Sequence, residues 1–174
     1  MAGLDWLNRL PPAAARTELM RCCGSERWTD TLVRLRPFVS EAQLFEAAGR
    51  EWDALSPREW LDAFSHHPRI GDKEALRSRF AATRLWAAGE QSGVEGAAED
   101  VLDALSEGNR AYESRFGHIF IVCATGKAAD EMLALLRARL GNAPEVELRI
   151  AAGEQAKITR LRLTKLLADH AEVA

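Results

Sequence analysis

The chain has 174 residues, enough for one domain that buries a core without metal or disulfide staples. Its residues are 47% hydrophobic and 28% charged, which excludes a disordered chain. The net charge is −3, with acidic and basic residues interspersed, so no face offers a phosphate-binding stripe and nucleic acid is not an expected partner.

The N-terminus MAGLDWLNRLPP lacks the basic region and apolar core of a leader, and no apolar run is long enough to span a bilayer. Helical patterns then follow at roughly 11 to 23, 25 to 36 and 40 to 54, carried by stretches such as WTDTLVRL and SEAQLFEAAGREW. In SPREWLDAF, Ser56 reads as N-cap, Pro57 as the first helical residue and Glu59 as the partner in a capping box, with Trp60, Leu61 and Phe64 as the apolar face. This helix stops near His66, because the residue before Pro68 disfavours the helical region. Further helices are predicted from Asp72 to about Ala88 and from Ala97 to about Phe116.

HIFIVCA, residues 118 to 124, is β-branched and apolar, but a lone strand has no partner. Helix is the favoured reading, with a buried extended segment as the alternative. KAADEMLALLRARLGN is amphipathic and closes at Gly141 and Asn142, and PEVELRIAAGEQAKITRLRLTKLLADH forms the last long helix. There is no internal repeat and no linker. The expected fold class is all-α, a compact single-domain multi-helix bundle over residues 1 to 174.

Cys22, Cys23 and Cys123 suggest neither a disulfide framework nor a CxxC knuckle, which favours a reducing compartment. With HAEVA offering no peroxisomal address, the expected location is cytoplasmic.

Three places could carry chemistry. In SHHPRIGDK, a histidine beside a proline-fixed loop has few rotamers and titrates near neutral pH, which suits proton transfer; capping of the preceding helix is the plainer role. In GEQSGVEG, Glu90 and Gln91 end a helix between glycines, where a carboxylate either partners a histidine or is simply solvated. In KITRLRLTKLL, Arg162 falls inside the arc of Ile158, Leu161 and Leu166, so it needs an anion, from a salt bridge or from a ligand; Arg160 lies off that arc and is expected in solvent. ATGK is not a phosphate loop, since Ile121 and Ala128 stand where Gly and Ser or Thr are required, and Lys127 belongs to the first turn of the next helix. No HExxH, GxSxG or Cys/His set at metal spacing is present.

Taken together, HHPRIG, GEQSGV, NRAYESRFGHIFIVCATGK and EQAKITRLRLTKLL resemble the 2-oxo-4-hydroxy-4-carboxy-5-ureidoimidazoline (OHCU) decarboxylases of urate breakdown. The resemblance covers nearly the whole chain, most specifically residues 57 to 167. It implies an all-α homodimer that uses no cofactor and no metal and yields (S)-allantoin and CO2 from a small-molecule substrate. It implies His67 and Glu90 as catalytic residues and Arg162 as a substrate anchor. Pro68, the helix end Gly89, Glu90 and Gln91, and the backbone of Ile119, Phe120, Ile121, Val122 and Cys123 would line the pocket. One departure is His118, where the family's FGxxF motif is associated with an apolar or aromatic residue. His66 is expected to be structural.

Two rivals are weighed against this. Hydroxyisourate hydrolysis belongs to a β-rich fold, against the helical signals. A helical interaction module would leave the HHP turn, the EQ pair and Arg162 scattered rather than around one cavity.

Overall fold

The computed structural model describes residues 2–67, 73–80 and 92–171, and among them nine helices and no strand. These are α1 (Ala2–Arg9), α2 (Pro12–Cys22), α3 (Glu26–Leu35), α4 (Glu41–Asp53), α5 (Pro57–Phe64), α6 (Lys73–Phe80), α7 (Ser92–Phe116), α8 (Ala129–Leu140) and α9 (Pro144–Asp169). The fold class is all-α, as the periodicity predicts. The chain forms two compact units, Met1–His66 with Ala152–Ala174, and His67–Ala151. Along the sequence, α9 gives its N-terminal end to the second unit and the rest to the first.

In the first unit, serines set where helices begin. Ser25, Ser40 and Ser56 accept from the backbone N–H groups of Trp28, Gln43 and Glu59 at the starts of α3, α4 and α5. At Ser56 the predicted capping box is complete, since the Glu59 carboxylate accepts from the Ser56 backbone N–H at 2.7 Å. The buried core includes Leu7, Leu19, Trp28, Leu32, Leu44, Trp52, Phe64 and Leu163. Three indole N–H groups each find a carbonyl, Trp28 on Ala48 at 2.9 Å, Trp52 on Ala152 at 3.0 Å and Trp60 on Trp52 at 3.0 Å. The rings of Trp28 and Trp52 are thereby buried, and that of Trp60 half-buried, without stranding a donor.

Helix α1 is absent from the sequence-based expectation. It buries Gly3, Leu4 and Leu7. Gly3 comes so close to α9 that a Cβ there would lie 2.0 Å from the Leu167 carbonyl oxygen. Arg36 satisfies the open C-terminal carbonyls of α1, donating to Leu7 and Leu10.

The buried face of α9 also differs from expectation. Ala152, Gln155, Thr159, Leu163 and Leu167 form it, at spacings of three and four, while Leu161 is 45% exposed and Ile158 and Leu166 are half-buried. The arc through Ile158, Leu161 and Leu166 is therefore the flank of the helix. Both faces carry leucines, so apolar periodicity alone could not choose between them. Arg160 is exposed as expected, with its guanidinium 4.5 Å over the Phe45 ring.

In the second unit, α7 packs along α8 and α6 packs on α7. The core here joins Leu76 and Phe80 of α6, Leu102, Leu105 and Tyr112 of α7, and Met132, Leu133 and Leu136 of α8. Residues 118–124 are not helical, correcting the favoured reading in favour of its alternative. The helix α7 ends at Phe116, and Gly117, at φ +73°, turns the chain in a region that side chains other than glycine rarely enter. A second positive-φ glycine, Gly126, closes the segment. Lys127 thus lies before α8 rather than in its first turn. Gly141 does follow the end of α8, though with helical rather than left-handed φ.

On the surface, α6 and α7 are joined by charge. Arg77 donates to Glu99 at 3.1 and 2.8 Å, and Lys73 reaches Glu99 at 3.0 Å and Asp103 at 2.8 Å. The hydrogen bonds from Arg77 and then Lys73 hold the Glu99 carboxyl down to about 2, against an ordinary value of 4.5. A depressed folded-state pKa contributes stability that is fully present above pH 4.5 and is lost as the pH falls through about 2. Thermal unfolding of Glu99→Gln against the unaltered protein should therefore show a deficit that is full at neutral pH and gone by about pH 2. The same deficit should shrink in about 1 M salt, because the pair is exposed and screened.

Candidate active site

The histidine turn begins with the geometry of α5. Capped at Ser56 and only eight residues long, the helix gives out at Ser65, whose hydroxyl donates to the Asp62 carbonyl at 2.6 Å. His66 follows in a turn, its N–H on Ala63 O at 3.2 Å. It lies against Gly24, where an added Cβ would sit 2.6 Å from both Cβ and Cγ of His66. His66 thus lies against the backbone of the α2–α3 turn, with the rest of the residue exposed. His67 comes next and is half-buried. Pro68, Gly89, Glu90 and Gln91 lie outside the described residues.

Arg162 projects from the exposed side of α9 rather than from its buried face. Its Nη1 lies 3.5 Å from the carbonyl oxygens of Arg21 and Cys22, at the C-terminus of α2. These are open helix-end carbonyls, where a cation is favoured by the helix dipole. The nearby thiols offer no negative charge: burial pushes Cys22 up to about 12 and Cys23 to about 11, so both are neutral at physiological pH. Among the described residues Arg162 thus meets helix-end carbonyls at long distance, and a guanidinium carries further donors that suit an anion.

Ile119, Phe120, Ile121, Val122 and Cys123 form one continuous irregular segment after Gly117. Ile121 is buried at 2% exposure and the others are half-buried. Three of their carbonyls are held by side chains. The Ile121 carbonyl accepts from Arg139 Nη1 at 2.8 Å, that of Cys123 accepts from Lys127 Nζ at 2.8 Å, and that of Ile119 lies 2.9 Å from His118 Nδ1. His118, the departure from the family motif, is buried with its ring edge-on to Tyr112. Burial lowers its pKa, so the ring is neutral at physiological pH and its Nδ1–H can serve the Ile119 carbonyl.

Behind this segment sits a buried ionic group. Arg139 donates from Nε to Glu147 Oε1 at 2.8 Å, and Tyr112 donates its hydroxyl proton to the same oxygen. Asn142 donates to Glu147 Oε2 at 2.9 Å. Arg139 also stacks its guanidinium 4.6 Å over the Phe120 ring. Burial pushes the Glu147 carboxyl up, but the hydrogen bonds from Arg139, Tyr112 and Asn142 outweigh it and hold the pKa below its ordinary value. Glu147 is therefore ionised. Burial also raises the Tyr112 phenol, which remains protonated. Sequence patterning singled out neither Arg139 nor Glu147. Charged residues on amphipathic helices ordinarily face water, and the only available signal was their place three and four residues from apolar neighbours.

Among the described residues no three His, Cys, Asp or Glu side chains gather as a metal site would require. No helix among them is long and apolar enough to cross a membrane.

The model of the OHCU decarboxylase family matches residues 8–164. The chain belongs to that family. It is 38% identical over 154 residues to the uric acid degradation bifunctional protein TTL of Arabidopsis thaliana, covering 87% of this chain but 47% of that protein. It is 31% identical over 134 residues to the OHCU decarboxylase of Amia calva, covering 76% of this chain and 75% of the relative. The chain thus spans about half of the plant bifunctional protein and three quarters of the fish decarboxylase. A solved structure of OHCU decarboxylase in the presence of (S)-allantoin superposes with a TM-score of 0.68 at 35% identity, covering 87% of this chain and 98% of that one.

Because Gly24 and His66 meet at contact distance, the turn that delivers His67 is sensitive to a single methyl group. Gly24→Ala should cost about 1–3 kcal/mol by overpacking, read by urea unfolding, and should shift the His66 ring resonances in NMR spectra. Gly49→Ala, where an added Cβ meets nothing within 4 Å, should instead gain about 0.5–1 kcal/mol.

Proposed function

We propose that this protein converts OHCU to (S)-allantoin and CO2 without a cofactor, as a carboxy-lyase in urate degradation. The observation that carries the reading is the 35% identity to an OHCU decarboxylase structure over 98% of its length, obtained in the presence of (S)-allantoin. The residues proposed for the site are His67 and Glu90 as the catalytic pair and Arg162 as the anchor. Pro68, Gly89, Gln91 and the backbone of Ile119 to Cys123 form the wall.

The chemistry is within reach of such a set. The substrate has a carboxylate and a hydroxyl on one ring carbon, beside a C=N carbon bearing the ureido group. As the bond to CO2 breaks, its electron pair forms a C=C bond between the two ring carbons, and the C=N pair moves to the ring nitrogen, which takes a proton. The resulting enol then loses its hydroxyl proton to become the ring carbonyl, while the ureido-bearing carbon gains a proton on one face. The substrate thus serves as its own electron sink, the service a cofactor would otherwise supply.

The protein has three tasks: to orient the ring, move protons and choose the face. His67, half-buried and next to Pro68, transfers the proton between hydroxyl and ring carbon. Glu90 holds and polarises the ureido and hydroxyl groups. Arg162 binds the ring carbonyl or carboxylate through its planar fork; its long contacts to helix-end carbonyls leave that fork able to take an anion. The chain acts as one OHCU decarboxylase domain over residues 1 to 174, as a homodimer, in the cytoplasm. The family resemblance supports the dimer, and the three cysteines without a disulfide among the described residues suit a reducing compartment.

The test uses substrate freshly made by urate oxidase and hydroxyisourate hydrolase, following its loss together with the circular dichroism of allantoin. The expected outcome is rapid formation of dextrorotatory allantoin, with His67→Ala slower by at least about a hundredfold and unchanged in its far-UV spectrum. Racemic product at the uncatalysed rate from the unaltered protein would sink the assignment.

A further inference from the structure

The segment Ile119 to Cys123 has neither helical nor ladder hydrogen bonds to fix its backbone. Its carbonyls at 119, 121 and 123 are instead met by His118, Arg139 and Lys127. In an extended chain, alternate residues present their backbone groups on the same edge. The protein thus holds every other carbonyl of this segment. His118 and Lys127 act from within four positions along the chain, whereas Arg139 comes from α8, 18 positions away. Of these three donors Arg139 is the one that comes from a helix of the scaffold, on which Phe120 and Val122 also pack.

Arg139 has little freedom of its own. Its Nε is on Glu147, its Nη2 lies 3.4 Å from the Tyr112 hydroxyl, and the face of its guanidinium is over the Phe120 ring. Glu147 is fully buried, and its second oxygen is taken by Asn142. A buried ion pair is a poor way to hold helices together, since apolar residues of similar volume commonly do as well or better. What an apolar replacement cannot do is donate to the Ile121 carbonyl.

We propose that Arg139, anchored by Glu147 and Tyr112, is a positioning residue for the decarboxylation: it sets the backbone of residues 119–123 at the register in which that backbone meets the substrate. This rests on the reading of residues 119–123 as pocket wall. Arg139 touches no reacting atom and acts through the Ile121 carbonyl. Lysine cannot replace it, because a single ammonium group cannot serve the carboxylate and the carbonyl in the fixed fork that guanidinium offers.

The test compares Arg139→Lys and Tyr112→Phe with the unaltered protein. Steady-state kinetics are measured with fresh OHCU, and backbone hydrogen exchange of residues 119–123 with and without (S)-allantoin. In the unaltered protein, (S)-allantoin should slow exchange in that segment. Arg139→Lys, folded by far-UV circular dichroism, should lower kcat/KM by about a hundredfold, raise KM, and speed exchange at 119–123 more than in α7 or α8. Tyr112→Phe should move the same quantities in the same direction by less. A rise in KM is decisive, since mere loss of folded enzyme lowers apparent kcat and leaves KM alone. If both variants fold and keep the unaltered kcat and KM, the positioning role is wrong. If (S)-allantoin leaves exchange at 119–123 unchanged in the unaltered protein, the pocket-wall reading fails and takes this proposal with it. Should Arg139→Lys not fold, Tyr112→Phe decides by the same readouts.

Discussion

The pairing of Arg139 with Glu147 is the constraint around which the second unit is arranged. Two full charges taken from water carry a desolvation cost of several kcal/mol per ion. The cost is met because nearly every donor and acceptor of the pair is used: Tyr112 and Asn142 complete the carboxylate, and the Ile121 carbonyl and Phe120 ring complete the guanidinium. Removing one partner would leave an uncompensated buried charge, a loss of about 3–5 kcal/mol. The group joins α7, α8, the start of α9 and the irregular segment at one point, so the ends of three helices and a loop are placed together.

Elsewhere the polar groups that matter sit where helices stop. His66 and His67 follow α5 because a serine cap starts that helix and a proline stands just beyond its end. Arg162 is drawn to the C-terminal carbonyls of α2, the negative end of that helix. Residues 119–123 run where neither α7 nor α8 can continue, bounded by the positive-φ glycines Gly117 and Gly126. Helix ends carry unsatisfied backbone groups and abrupt changes of direction, so they can present polar atoms to a ligand as a helix interior cannot. The helices supply rigidity, and their ends expose polar groups.

Much of this was legible in the sequence, and the parts that were not share a cause. The capping box at Ser56 and Glu59, the stop before Pro68 and the breaks around Gly117 and Gly141 are local signals, written in a few adjacent residues. The buried face of α9 was misplaced because leucine and isoleucine occur on two arcs of that helix, and only tertiary packing selects Leu163 and Leu167 over Leu161. Residues 118–124 were assigned to helix because their apolar run has no periodicity to decide it, and the donors that replace a ladder come from Arg139 and Lys127. Helix α1 was missed since it is only eight residues long, and its tight approach to Leu167 at Gly3 is a non-local contact. Arg139 and Glu147 were invisible for the same reason. Non-local partners decide each of these, and a single sequence does not name them.

The central proposal is that His67, Glu90, Arg162 and the backbone of residues 119–123 are the groups that act on OHCU. The most direct measurement is a crystal structure with (S)-allantoin bound. The account predicts one product molecule with the Arg162 guanidinium and the 119–123 backbone within hydrogen-bond distance of its ring and ureido groups, and with His67 and Glu90 beside the carbon that gained the proton. A product bound away from Arg162, or with His67 out of reach of that carbon, would contradict it.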